Sequence, residues 1–117
     1  METHRLVLPG DLNQYGFLFG GRLLAWIDEA SWIAASLGYP ACQFVTVAMA
    51  TVEFHHSVRE GTILTINCER TRAGTTSVTY AVTVFDRQSR SEPIFSTSVT
   101  FVRVDAAGQK LPLTGPA

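Results

Sequence analysis

The stretch that decides the fold runs from residue 20 to residue 37 and reads GGRLLAWIDEASWIAASL. Two glycines open it, and Gly38 and Pro40 close it, so the sequence predicts a helix within these bounds. At about 100° per residue, the side chains within one apolar stripe about 80° wide are Leu23, Ile27, Ala30, Ala34 and Leu37. The opposite face is also apolar, which is typical of a helix that is buried nearly all round.

Asp28 lies on that second apolar face, among Leu24, Trp32 and Ala35. No Lys or Arg stands three or four residues before or after it. An exposed, hydrated carboxylate is the ordinary alternative for a helical Asp. In apolar surroundings, however, an uncompensated carboxylate is costly unless the protein uses it, so Asp28 is a candidate general base or nucleophile.

A loop at residues 10–19 precedes the helix and interleaves turn-forming residues with apolar ones, which predicts a packed loop. Its Asn13 stands 28 − 13 = 15 residues before Asp28. An amide there can orient a water or polarise a carbonyl, and the unpaired N–H groups at Gly20 and Gly21 can hold an oxyanion. Together these groups suit acyl transfer. The alternative for Asn13 is a purely structural Asx-turn.

After the helix the pattern becomes that of β-strands. The predicted strands span residues 44–58, 62–71, 77–86 and 95–104, and a further short strand spans residues 5–8 ahead of the loop. Short connections favour antiparallel hairpins in meander-like order, so we expect an α+β fold in which the sheet wraps around the helix. Such a sheet leaves open edges, which invite pairing with a second copy of the chain.

A small polar turn precedes the strand at 77–86. Its residues are Gly74, Thr75, Thr76 and Ser77. Their N–H and hydroxyl groups can contact a phosphate or the amides of a pantetheine arm. Hairpin turns use the same residues for geometry alone, so both interpretations stay open.

Composition limits the classes of function. The chain has 117 residues, 46% of them hydrophobic, and a net charge of −1, which predicts a single globular domain over residues 1–117 and no binding to nucleic acid. No apolar run reaches the ~18 residues of a membrane span, and the first residues lack the apolar core of a signal peptide. We therefore expect a cytoplasmic protein with no membrane partner.

The Cys and His residues do not form a metal-binding or redox motif. Cys42 and Cys68 lack the spacing of a metal or redox site, so we expect two buried free thiols. His55 and His56 are adjacent, and within a strand they would point to opposite faces, which prevents regular ligation of one metal. Motifs of serine hydrolases, P-loop enzymes and dinucleotide-binding enzymes are absent too. We expect no metal and no cofactor.

The chain resembles the hotdog-fold acyl-CoA thioesterases, especially the YciA-like and cytosolic acyl-CoA hydrolase branch. The blocks that carry the resemblance are PGDLN at 9–13, FGG at 19–21, WIDEA at 26–30, VTVAM at 45–49, FHH at 54–56, EGT at 60–62, GTTS at 74–77 and FVRVD at 101–105. The family's turn usually reads Gly-Arg-Thr-Ser, and Thr75 stands here at the Arg position. The match extends over nearly the whole chain.

The resemblance implies a hydrolase that cleaves acyl-CoA to free acid and coenzyme A, acting as a homodimer or a larger assembly of dimers. It implies a site at the subunit interface, where Asp28 of one chain, as general base or nucleophile, faces Asn13 of the other, as the orienting amide. Gly20 and Gly21 then correspond to the oxyanion site and the turn at 74–77 to part of the coenzyme A contact. Coenzyme A is part of the substrate, so no separate cofactor is implied.

Other functions fit the same fold. A non-catalytic acyl-CoA-binding hotdog module would bind CoA esters without releasing thiol, and Asp28 would only support its interface. A purely structural interaction module would bind no CoA species. A hotdog dehydratase is disfavoured because no His stands in the 10–19 loop or on the helix.

Overall fold

The computed structural model describes residues 1–89 and 91–115. Its elements are β1 (Glu2–Leu6), a 3-10 turn (Pro9–Asp11), α1 (Gly20–Gly38), β2 (Phe44–Phe54), β3 (Ile63–Ala73), β4 (Ser77–Asp86) and β5 (Phe95–Arg103). The five strands form one antiparallel sheet in the order β1-β3-β4-β5-β2, and α1 packs against β2, β3, β4 and β5. This is the hotdog arrangement, and the predicted α+β class is confirmed.

Sheet order departs from the predicted meander at one connection. β3, β4 and β5 pair in sequence, as expected, but β2 pairs with β5 at the far edge instead of forming a hairpin with β3. The cause is the segment 55–62, which leaves β2 and crosses the end of the sheet. There Leu18 N–H donates to Val58 O at 2.7 Å, and Phe17 forms an isolated antiparallel β-bridge with Arg59. A short link therefore joins strands at opposite sides of the sheet.

Several strand boundaries also differ from the prediction: β1 begins at Glu2 instead of residue 5, β3 is Ile63–Ala73 instead of 62–71, β5 ends at Arg103 instead of residue 104, and both β1 and β2 end earlier than predicted. β1 ends at Leu6, because Val7 N–H donates to Thr62 O and Leu8 N–H donates to the Asp11 carboxylate, so the chain turns before Pro9. β2 ends at Phe54 and carries two irregularities in its pairing with β5, between Thr46 and Ala48 and between Ala50 and Glu53. Thr51 lies in the second one with φ 58°, a conformation uncommon for a β-branched residue.

The core lies between α1 and the inner face of the sheet. The buried helix residues are Leu23, Trp26, Ile27, Ala30, Ser31, Ala34 and Ala35. From the strands, the predicted alternation places Val78, Tyr80, Val82, Val84, Phe95, Val99 and Phe101 in the same core. Cys42 and Cys68 are buried and free, as predicted.

Leu37 was expected in the core stripe, and that prediction is wrong: 65% of Leu37 is exposed. The helix ends one residue later, and Tyr39 N–H caps Ala35 O at 2.9 Å. The Tyr39 ring is buried and packs edge-on against Phe44, with 6.0 Å between ring centroids, so Tyr39 joins the core here and Leu37 does not. The last helical turn therefore projects past the core.

β2 is an edge strand with unusual exposure. Apart from Phe44 and Met49, every residue in it is exposed. Its exposed apolar side chains are Val45, Val47, Val52 and Phe54. Within the described residues, only β5 pairs with it, so the backbone groups of its other edge lack a strand partner. An unpaired apolar edge of this kind is a surface on which another strand can pair.

Candidate active site

Asn13 organises the loop that precedes α1. Its Oδ1 accepts hydrogen bonds from the N–H groups of Tyr15 at 2.9 Å and Phe17 at 3.1 Å, and its own N–H donates to Phe17 O at 2.7 Å. The structural Asx-turn raised as an alternative is therefore present. It occupies the oxygen of the amide and leaves Nδ2 with no partner in the part of the chain that the structure describes. Asn13 can thus serve a ligand only as a donor.

The Asn13 side chain lines a cavity of about 370 Å³. The apolar residues of its wall are Phe17, Leu18, Leu23, Phe54 and Val58. The remaining lining residues are Gly20, His55, His56 and Ser57. A mostly apolar pocket with a few polar groups is the usual form of a small-molecule site.

The two glycines at the helix start differ in position. Phe19 is the N-cap residue, and no side chain caps the helix. Within residues 1–89 and 91–115, no hydrogen bond uses the N–H of Gly20 or Gly21, so both remain available as donors. Gly20 lines the Asn13 cavity, whereas Gly21 does not. Of the predicted oxyanion residues, only Gly20 therefore shares the cavity with Asn13.

Asp28 is held by β2. Thr46 Oγ1 donates to Asp28 Oδ1 at 2.6 Å, and no ion pair involves Asp28 among the described residues. The half-buried carboxylate is therefore fixed by a neutral donor while its charge stays uncompensated by any cation of the same chain. Sequence reasoning assigned no role to Thr46. The one sequence feature that could have indicated Thr46 is its position as a hydroxyl residue between Val45 and Val47 in an otherwise apolar segment.

Asn13 and Asp28 do not meet within one chain. Asp28 is absent from the described residues that line the Asn13 cavity. Thr46, which holds Asp28, stands near the start of β2, and Phe54, which lines the cavity, ends it. Their partners on β5 are Phe101 and Phe95, which are 101 − 95 = 6 residues apart and therefore roughly 20 Å apart along the strand. One chain thus carries two half-sites at opposite ends of the same edge strand.

The turn at 74–77 lies at the Asp28 end of the sheet. Ser77 pairs with Val102, and Val102 pairs with Val45, the residue before Thr46. Gly74 N–H donates to Ser77 O at 2.7 Å, and a Cβ placed on Gly74 would lie 3.0 Å from Ser77 Oγ, so the hairpin geometry accounts for this glycine.

The carbonyls of the same turn anchor the later chain. Arg103 N–H donates to Thr76 O at 2.9 Å, and Leu113 N–H donates to Thr75 O at 2.8 Å. Thr75 is exposed, and Thr76 is half-buried. The role of this turn in binding coenzyme A remains a prediction.

His55 and His56 both line the Asn13 cavity. Their predicted placement on opposite faces is wrong because β2 ends at Phe54, so strand alternation no longer applies to them. His56 Nε2 lies 3.1 Å from Glu92 Oε2, and His55 Nε2 lies 3.4 Å from Ser96 Oγ. Among the described residues, no group of three or more His, Cys, Asp or Glu side chains could hold a metal ion.

In the part of the chain that the structure describes, no helix combines the length and the apolar character that crossing a membrane requires.

Comparison with known proteins gives the family. The model of the Thioesterase superfamily matches residues 15–92. An uncharacterized acyl-CoA thioester hydrolase of Buchnera aphidicola is 30% identical over 115 residues, which cover 93% of this chain and 84% of that protein. The chain belongs to the Thioesterase superfamily, and the family resemblance seen in the sequence is confirmed.

Other relatives differ in length. The human cytosolic acyl coenzyme A thioester hydrolase is 27% identical over 113 residues, 92% of this chain, and the match spans only 30% of that protein. Of the similar solved structures, the hexameric thioesterase of Yersinia pestis has a TM-score of 0.88 at 26% identity, covering 97% of this chain and 93% of the other.

An acyl-CoA hydrolase of Staphylococcus aureus, solved with butyryl coenzyme A and coenzyme A, has a TM-score of 0.86 at 29% identity, and the match covers 98% of this chain and 71% of the other.

Proposed function

We propose that this protein hydrolyses acyl-CoA thioesters to a free carboxylic acid and coenzyme A, at a site formed by two copies of the chain. One observation carries the proposal: the Asn13 cavity and the Asp28–Thr46 pair lie at opposite ends of β2, whose outer edge has no strand partner within the described residues. Neither half contains a complete set of acyl-transfer groups.

A two-fold pairing along β2 would join the halves. In an antiparallel pair, the end of one strand lies against the start of the other, and a two-fold dimer repeats this contact symmetrically. Phe54 of one copy then approaches Thr46 of its partner. Asn13 and Gly20 of one chain come to face Asp28 of the other, which yields two equivalent sites per dimer.

The chemistry assigns one task to each group. Gly20 N–H and Asn13 Nδ2 donate to the thioester carbonyl or to the attacking water. Asp28 Oδ2, the oxygen not bonded to Thr46, accepts a proton from that water, whose oxygen bonds to the acyl carbon. The C–S bond then breaks, and the proton passes to the departing coenzyme A thiolate. Direct attack by Asp28, through an anhydride that water later hydrolyses, would use the same groups.

The coenzyme A part of the substrate would extend over the turn at 74–77. This turn lies at the same end of the sheet as Asp28, so both belong to the half-site that one chain would contribute to the thiol side. The hydroxyls of Thr75, Thr76 and Ser77 would contact the pantetheine arm or a phosphate. Because Thr75 replaces the family's Arg, phosphate binding there would depend on neutral donors.

The relatives support the wider proposal. The Yersinia pestis protein is a hexameric thioesterase, and the Staphylococcus aureus acyl-CoA hydrolase was solved with coenzyme A. We infer for this chain a single domain over residues 1–117, a homodimer as the smallest active unit and assembly of dimers beyond it. The cytosolic relatives favour a cytoplasmic location. The reaction needs no cofactor other than the coenzyme A of the substrate.

Thiol release tests the proposal directly. The purified protein is mixed with acetyl-, butyryl-, octanoyl- and palmitoyl-CoA, and free coenzyme A is titrated with a thiol reagent. We expect turnover with at least one ester and none above background for Asp28→Ala. Binding of CoA esters without thiol release would favour the non-catalytic module, and absence of any CoA binding would favour a structural module.

A further inference from the structure

Two aromatic rings flank the start of α1. Phe19 and Phe54 are similarly exposed, at 57% and 53%. A Cβ placed on Gly20 would lie 3.3 Å from Phe54 Cζ, and one placed on Gly21 would lie 2.9 Å from Phe19 Cε2. Each ring therefore rests against one of the two glycines that open the helix.

Only one of these rings lines the cavity. Phe54 is part of its wall together with Asn13, and Phe19 is not. The Phe54 ring packs edge-on against the buried Phe95, with 5.0 Å between centroids and an interplanar angle of 67°. Next to it, His55 N–H donates to Ile94 O at 2.9 Å, which fixes the end of β2. The position of the Phe54 ring is thus set by side-chain and backbone contacts.

We propose that Phe54 determines the longest acyl chain that the site accepts; this inference rests on the proposed function. Gly20 N–H marks the position of the carbonyl oxygen. An acyl chain that leaves this position runs along the Phe54 ring, because a Cβ placed on Gly20 would lie only 3.3 Å from Cζ of that ring. The rest of the wall is formed by Phe17, Leu18, Leu23 and Val58, side chains that suit an alkyl group.

The Phe54 ring lines the cavity and packs against Phe95, which is not among the residues that line it. Phe95 is fully buried and belongs to the core, so it cannot retreat to lengthen the pocket. Replacing Phe54 by a smaller residue opens space that the neighbouring backbone, held by the bond to Ile94, does not refill. The freed volume would then accept additional methylene groups of the substrate.

The experiment compares chain-length profiles. Values of kcat/KM are measured for acetyl-, butyryl-, hexanoyl-, octanoyl- and decanoyl-CoA with the wild type, Phe54→Ala, Phe54→Leu and Phe19→Ala. One methylene in an apolar pocket changes discrimination by roughly 10- to 200-fold. We expect the decanoyl-to-butyryl ratio to rise at least about tenfold in Phe54→Ala and by a smaller factor in Phe54→Leu. The matched control, Phe19→Ala, should keep the wild-type ratio.

An unchanged ratio in folded Phe54→Ala or Phe54→Leu, with an active wild type, would overturn the inference. An equal shift in Phe19→Ala would do so as well, since general loosening of the helix start would then explain it. If the wild type releases no thiol, the proposed function fails instead. Calorimetric Kd values for S-butyl-CoA and S-decyl-CoA, two thioethers with no carbonyl to hydrolyse, therefore test chain-length selection through binding alone.

Discussion

Thr46 Oγ1 donates a hydrogen bond of 2.6 Å to Asp28 Oδ1, so the edge strand β2 fixes the carboxylate that helix α1 carries. The bond uses one carboxylate oxygen and leaves the other for chemistry. A hydroxyl donor orients the carboxylate and leaves its net charge in place, whereas a cation would form an ion pair with it. The relationship therefore makes Thr46 part of the proposed site.

Loss of this bond should slow the chemical step. For Thr46→Val, which keeps the shape of the side chain, we expect kcat to fall about 10- to 100-fold, because a hydrogen bond to a charged group contributes ~1.5–3 kcal/mol. KM should change little. Steady-state kinetics with the best substrate of the panel gives both constants. Thr100→Val is the matched control, since it removes a hydroxyl bond to Thr79 on the same sheet and touches no carboxylate. A normal kcat in Thr46→Val would contradict the role of Thr46.

The two functions of Asn13 can be separated by substitution. Asn13→Asp keeps an oxygen for the N–H groups of Tyr15 and Phe17 but replaces the Nδ2 donor by a second oxygen. We expect a stable protein whose activity falls at least about 100-fold, the usual cost of losing an oxyanion donor. Asn13→Ala removes the loop bonds as well, so its melting temperature should also drop. Equal activities of Asn13→Asp and the wild type would exclude a donor role.

Mixed dimers test whether the site spans two chains. If Asp28 of one chain works with Asn13 of the other, a dimer of one Asp28→Ala and one Asn13→Asp subunit contains one intact site. Random mixing in equal amounts should restore about a quarter of wild-type activity per chain, because half of the dimers are mixed and each has one of two sites. Subunits carrying different affinity tags confirm the mixing. Lack of rescue in isolated mixed dimers would place both groups in one chain.

A charge on the free edge should disrupt pairing. Val47 is 54% exposed on β2, and Lys at an edge strand opposes the approach of another strand. We expect Val47→Lys to shift the protein toward monomer and to lose activity in parallel. Light scattering after size-exclusion chromatography gives the mass. Gln109→Lys, a matched charge in an exposed segment outside the sheet, should leave mass and activity unchanged. An active monomer of Val47→Lys would refute the shared site.

Cys68 provides a test that is independent of catalysis. Burial raises the pKa of its thiol from 9.0 to about 11. A group whose pKa is higher in the folded state stabilises the protein below the unfolded pKa, and this stabilisation is lost as pH rises through the folded pKa. The free energy of unfolding should therefore decline between pH 9 and pH 11. Urea titrations of the wild type and of Cys68→Ala should show a smaller decline in the variant.

Much of the fold could be predicted because local patterns coincide with tertiary contacts. Strand β4 has the predicted bounds, and α1 ends one residue beyond the predicted Leu37. The partner of β2 could not be predicted, since link length favours a hairpin, whereas packing of Val58 and Arg59 on the 10–19 loop decides the path. The prediction for Leu37 was wrong for a similar reason: helical periodicity does not reveal that Tyr39, beyond the end of the helix, packs into the core against Phe44.

For the site, the sequence indicated Asn13 and Asp28, but it did not indicate that strand β2 contacts both half-sites, through Phe54 and Thr46. Asn13 was evident as a loop amide and Asp28 as an isolated carboxylate. Thr46 was not, because a hydroxyl in a strand is ordinary until its distance to a carboxylate is known. The exclusion of Gly21 from the cavity likewise depends on the direction in which each glycine faces.

One strand, β2, contacts both half-sites. In the proposed dimer, enzymatic activity therefore depends on the register in which the two β2 strands pair. A slip of two residues between the paired β2 strands would displace Asn13 of each copy from Asp28 of the other in both sites together. Neither site could compensate for the other. Any ligand or substitution that shifts this registry would therefore act on the two sites as a single switch.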